Sequence, residues 1–177
     1  FVFSALIDSL RPVIFESNKI SEERFEKNMA RLYSLIIYLG LAQSVVLTLL
    51  ANPIIGVLYG KDYLPSVPLL QIITWYSAFS YMGSVRNIWM LAKEKQKYLW
   101  VINLMGAALN VAGNFALIPL LGASGAAIAS VATQFFTNFI LCLIFKPIKP
   151  TTRLIVRALN PKTIIEMIPR KENKNVK

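Results

Sequence analysis

The chain has 177 residues, 55% of them hydrophobic and only 16% charged, with a formal net charge of +10 and a positive mean hydropathy, a balance that excludes an ordinary water-soluble domain. A single cysteine, Cys142, excludes a disulfide framework or a thiolate metal site. The lack of any histidine removes the commonest general base and the commonest metal ligand together.

Phe1–Phe15 starts apolar but is interrupted by Asp8 and Arg11, too short for a membrane crossing of its own and without the order of a signal peptide. Residues 1–15 are expected to be the end of a transmembrane helix stopping at Arg11-Pro12, so that the chain is the carboxy-terminal part of a longer protein. Residues 16–31 are polar and are expected as a cytoplasmic loop, in which Ser21 followed by Glu22 and Glu23 suggests a short helix start. A crossing takes about 20 apolar residues, at about 1.5 Å each through roughly 30 Å of hydrocarbon. Leu32–Gly60, Tyr63–Val85 and the 48-residue tract Tyr98–Phe145 carry no charge, and they predict four crossings near 32–58, 67–92, 98–118 and 123–145. In the first, Asn52-Pro53 should kink or end the helix. Tyr59 and Tyr63 flank a turn, placed as an aromatic belt would place them.

The second crossing carries Ser77, Ser80, Ser84 and Asn87, spaced three, four and three residues apart, which draws one polar stripe down a helix. Asn103, Gly106, Asn110, Gly113 and Asn114 do the same in the third, and Gly125, Ala129, Ser130, Gln134, Thr137 and Asn138 in the fourth. Such stripes pack helices together or line a transport path. Pro119 and Gly122 supply a helix stop and a permissive turn between the last two crossings. Asn110, Asn114, Pro119, Gly122 and Gly125 are therefore expected as structural, packing residues. Residues 146–177 form a basic tail: short apolar-basic helices through Ile168 that lie against anionic lipid, then disorder over Arg170–Lys177.

The basic residues fall between the crossings. With the tail assigned to the cytoplasm, Lys93, Lys95, Lys97, Lys19, Arg24, Lys27 and Arg31 share its side and only Lys61 lies opposite, in accord with the positive-inside rule. A nucleic-acid partner would need these residues on one accessible face, interleaved with aromatics, and they are not.

Four patterns then occur in order. Glu22, Arg24, Phe25 and Lys27 lead to a crossing that ends Leu58-Tyr59-Gly60-x-x-Tyr63; Pro68-Leu69-Leu70-Gln71-Ile72 opens one that closes on Leu91-Ala92-Lys93-Glu94-Lys95. Asn110-x-x-x-Asn114-x-x-x-Ile118-Pro119 and Gly122-x-x-Gly125-Ala126-Ala127 follow. In this order they resemble the carboxy-terminal lobe of the polysaccharide-transporter flippases, for O-antigen and other lipid-linked oligosaccharides, in the multidrug/oligosaccharidyl-lipid/polysaccharide exporter superfamily. The resemblance implies an all-α, polytopic bundle, part of the second of two six-helix lobes around a cavity. It implies movement of an undecaprenyl-pyrophosphate-linked oligosaccharide across a bacterial cytoplasmic membrane, with no cofactor and no enzymatic step. The implied partners are membrane lipid, the glycan substrate, the amino-terminal lobe and a glycan polymerase.

Arg86 is the one basic residue deep in a crossing, where it costs on the order of 2.5–3.5 kcal/mol at the helix centre. It can snorkel to headgroups, pair with a neighbour, or meet a pyrophosphate through its planar fork. The expected substrate-binding set is Arg86, Asn87, Ser84 and Ser80. Asp8 and Arg11, three apart, either pair with each other or border the cavity mouth. A cation-coupled drug exporter of the same superfamily would want acids inside the crossings, where Asp8 is the one candidate. A membrane-embedded glycan-assembly enzyme would want acidic clusters, and no loop offers them.

Overall fold

Ser21 makes the first break in the chain. Its hydroxyl accepts a hydrogen bond from the Arg24 N–H at 3.2 Å and caps a helix whose first turn carries Glu22 and Glu23 at the positive end. In the computed structural model, which describes residues 2–160 and Thr163, helix α1 (Val2–Ile20) thus gives way to α2 (Glu22–Leu58) across one residue. The segment 16–31, expected as a loop, is helical on both sides of Ser21. Apart from that one-residue break, its polarity marks an exposed helix face: in α2, Phe25, Met29 and Ala30 are buried while Glu22, Glu23 and Arg24 are exposed. Pro12 and Pro53 lie inside α1 and α2, each forgoing a backbone hydrogen bond without ending its helix.

After a short 3-10 turn at Lys61–Ser66, helix α3 (Val67–Ala92) starts with Pro68 in its first turn, where a missing N–H costs nothing. It runs antiparallel to α2, because rising numbers on one meet falling numbers on the other. A Cβ on Gly40 would lie 3.2 Å from the Ala78 Cα, Ser44 Oγ donates to the Thr74 carbonyl at 3.2 Å, and Gln71 Nε2 donates to the Thr48 carbonyl at 3.2 Å. Close backbones and side chains bonded across the seam are what holds helices together where lipid removes the hydrophobic drive.

Helix α3 ends in a Schellman motif. The Lys95 N–H returns to the Met90 carbonyl at 2.7 Å and the Glu94 N–H to that of Leu91 at 3.2 Å, with Glu94 at a left-handed φ of 55°. A 3-10 turn at Gln96–Tyr98 leads into α4 (Leu99–Leu121). Then α5 (Ala123–Phe135), a π-helical turn at Phe136–Ile140 and α6 (Leu141–Ile144) form one continuous rod. Pro119 was expected to stop α4, yet the helix runs to Leu121. The reversal belongs to Gly122, whose φ of 56° only glycine adopts without strain. Gly125 sits so close to the Leu117 carbonyl that a side chain there would overlap it, which draws α4 and α5 into an antiparallel hairpin.

Helix α3 lies between α2 and the α5 rod, α4 packs on the far side of α5, and α1 covers α2 and α3. Phe3 stacks on Tyr81 at 4.2 Å, whereas Asn18 at the other end of α1 bonds the Ala92 carbonyl, so α1 and α3 run parallel. Helix α7 (Pro150–Ala158) closes the base. Its apolar side, Leu154, Ile155 and Ala158, is buried with α2 residues in the main core, and the Tyr38 hydroxyl donates to the Leu159 carbonyl at 2.8 Å. The tail helix expected to lay that face on lipid lays it on protein instead, because α2 offers a nearer apolar surface; Arg153 stays exposed and Arg157 stands 3.9 Å from Glu26. The further stretch expected through Ile168 and the disorder expected over Arg170–Lys177 lie outside the described residues, apart from Asn160 and Thr163.

The described residues are all-helical, and among them three helical segments, Glu22–Leu58, Gln96–Leu121 and Ala123–Ile144, are long and apolar enough to cross a membrane. Helix α3, expected as a further crossing, has the length at 26 residues but not the composition. Its polar stripe and Arg86 lower its hydropathy, and that stripe leads to the site.

A polar groove between three helices

Ser80, Ser84, Arg86 and Asn87 on α3, Asn103, Gly106 and Asn110 on α4, and Ser130, Gln134, Thr137 and Asn138 on the α5 rod face one cavity of about 420 Å³. All four residues expected to bind substrate therefore border a single space. Its lining is mostly hydroxyls and amides with one guanidinium, beside Ile102, Ala107 and two glycines, and holds no acidic residue among the described residues. Among the described residues, no cluster of acidic or cysteine side chains could hold a metal ion.

Arg86 is 4% exposed and does not snorkel. Its Nη1 donates to the Thr137 carbonyl at 2.7 Å and to Asn138 Oδ1 at 2.8 Å, and its Nη2 donates to Asn87 Oδ1 at 3.3 Å. The π turn makes the first of these bonds available. The Leu141 N–H reaches back five residues to the Phe136 carbonyl at the end of that turn, so the Thr137 carbonyl is released from the helical ladder to the guanidinium. Asn138 is fixed in turn by its Nδ2, which donates to Gln134 Oε1 at 2.7 Å. It packs on Gly83, where a Cβ would stand 2.5 Å from the Asn138 Oδ1.

The expected packing residues divide. Asn114 Nδ2 donates to Asn110 Oδ1 at 3.0 Å, and Asn110 Nδ2 reaches Ser130 Oγ at 3.4 Å, a bridge between α4 and α5 that also borders the groove. Gly122 and Gly125 shape the hairpin, whereas Pro119 is exposed. Asp8 and Arg11 pair at 3.0 Å, and both border a neighbouring cavity of about 250 Å³ that shares Ser84 and Asn87 with the groove. Sequence reasoning placed Thr137 and Asn138 in a stripe that either packs helices or lines a path, and missed their bonds to Arg86. The usable signal was the pair Gln134-x-x-x-Asn138, two amides one turn apart on the helix after the one that carries a buried arginine.

No family model matches the chain, and no solved structure matches it. The chain is 28% identical over 141 residues, 76% of its length, to uncharacterized membrane protein MJ1068 of Methanocaldococcus jannaschii. It spans about a quarter, 27%, of the length of that relative. Together with three helices fit to cross a bilayer, the similarity makes this chain a membrane protein with transmembrane helices, all-helical over its described residues.

Proposed function

We propose that the chain is part of a flippase that carries an undecaprenyl-pyrophosphate-linked oligosaccharide, such as an O-antigen, capsule or exopolysaccharide repeat unit, across a bacterial cytoplasmic membrane. The observation that carries this reading is the groove: a polar cavity with one buried cation and no acid, set in a bundle built for lipid. Hydroxyls and amides suit the hydroxyl groups of a glycan, and a guanidinium suits a phosphate. The ordered motifs from Glu22 to Ala127 add their resemblance to polysaccharide-transporter flippases.

On this reading α3 is a fourth crossing, wet along its stripe and apolar where it meets α2. The bundle is part of a six-helix lobe whose groove faces a second lobe, and the Lys93–Lys97 turn and α7 lie in the cytoplasm. The cation-coupled exporter is less well supported, because Asp8 is spent on Arg11 and does not border the groove. A glycan-assembly enzyme lacks a general base there. In the full-length protein, Arg86→Ala should lower surface glycan severalfold while membrane abundance holds. Wild-type glycan display by that variant would rule out the groove as the path.

A further inference from the structure

Arg86 is held in an uncommon way. Its acceptors are a backbone carbonyl and two side-chain amides, all neutral, and among the described residues no carboxylate pairs with it. Buried cations are usually matched by an acid, since neutral dipoles fix a charge in place without cancelling it. The guanidinium has five N–H donors, of which three are used here; the Nε–H is buried and has no partner, and one Nη2–H is also left over. The groove beside it therefore keeps a whole positive charge in low-dielectric surroundings. Asn138 is the side chain best placed to cancel that charge, at 2.8 Å, and it does not.

We infer that Asn138 is a specificity-determining and positioning residue: it holds Arg86 in the groove without neutralising it, so that the counter-charge is supplied by an anionic group on the substrate. Two independent features keep the amide where it is: Gly83 leaves room for it and Gln134 bonds its Nδ2. The π turn brings the Thr137 carbonyl to the same Nη1 and so holds the guanidinium against it. This inference rests on the reading of the groove as the substrate path and adds the rule by which substrates are chosen. Cationic solutes are repelled, neutral ones bind weakly, and oxyanions are drawn in.

Asn138→Asp tests it, because the substitution keeps size and shape, adds a negative charge and gives up only the Nδ2 donor. The new carboxylate fits the space beside Gly83, accepts from Nη1 as the amide did, and can take a hydrogen bond from Gln134 once that amide is turned over. The probe is geranyl pyrophosphate, titrated calorimetrically into the purified full-length protein in nanodiscs. The variant should keep at least the wild-type melting temperature and lose at least tenfold in affinity for the probe. Arg86→Gln should lose as much.

A merely structural Asn138 would leave the affinity of Asn138→Asp at the wild-type level, since its hydrogen bonds survive. That result, with binding lost in Arg86→Gln, overturns the role of Asn138 and leaves the groove reading intact. If Arg86→Gln binds the probe as the wild type does, or if the wild type does not bind it, both the inference and the groove reading fall.

Discussion

A guanidinium 4% exposed in a lipid-facing bundle has to be solvated by the protein itself, and each of its acceptors is specific to one position. Gly83 is the least replaceable of the supporting residues. A Cβ there would come within 2.5 Å of the Asn138 Oδ1 and 2.9 Å of its Cγ, so Gly83→Ala must push the amide off Nη1 or push α3 off the α5 rod. Overpacking of this kind costs about 1–3 kcal/mol. The expected outcome is a lower thermal midpoint for the purified full-length variant in detergent, together with weaker anion binding; an unchanged midpoint would mean the amide yields without cost. The sequence made half of this legible. Ser80, Ser84 and Asn87 could be read as one stripe because their spacing follows the 3.6-residue turn, and Arg86 stood out as a charge in an apolar run. Thr137 and Asn138 could not be matched to it, since they lie 51 and 52 residues further on and meet it only through helix packing.

Among the elements, prolines and polar runs were the weak signals and glycines the strong ones. Pro12, Pro53 and Pro119 all lie within helices, because each sits where one lost backbone bond is tolerable, whereas Gly122 with its positive φ makes the reversal. The end of α3 goes the other way. Its Schellman turn puts Glu94, not glycine, at the left-handed position, and a residue with a Cβ pays roughly 1–2 kcal/mol there. Glu94 is exposed, so Glu94→Gly should raise the thermal midpoint by a few degrees while anion binding in the groove is unchanged. A fall in the midpoint would show that the Glu94 side chain holds the turn through contacts that outweigh its strain. On either side of it, Lys93 and Lys95 tie the turn down. Lys93 bonds Asn18 at 2.9 Å, pairs with Glu22 and lies 4.4 Å over the Phe25 ring, while Lys95 bonds the Pro147 carbonyl at 3.0 Å.

In the whole molecule the two ends of the bundle differ in charge. Among the described residues, the end formed by Ser21, the Lys93–Lys97 turn and α7 gathers most of the basic side chains, while the Lys61–Ser66 turn and Gly122 mark the other. If the basic end is cytoplasmic, single cysteines at Gln96 and Asp62, in a Cys142→Ala background, should react with an impermeant maleimide from opposite sides of intact cells. Only Asp62→Cys should be labelled from outside; labelling of Gln96→Cys instead would invert the orientation. One local irregularity also bears on this larger frame. A π turn holds about one residue more than an α turn, so everything after it is set back by about 100° around the axis. In the α5 rod, Gln134 and Asn138 line the polar space while Leu141 is buried in the apolar core that also holds Ile148 and Leu154. That single change of phase lets one rod serve two neighbourhoods of opposite chemistry, which a helix of uniform pitch would have had to do with two separate stripes.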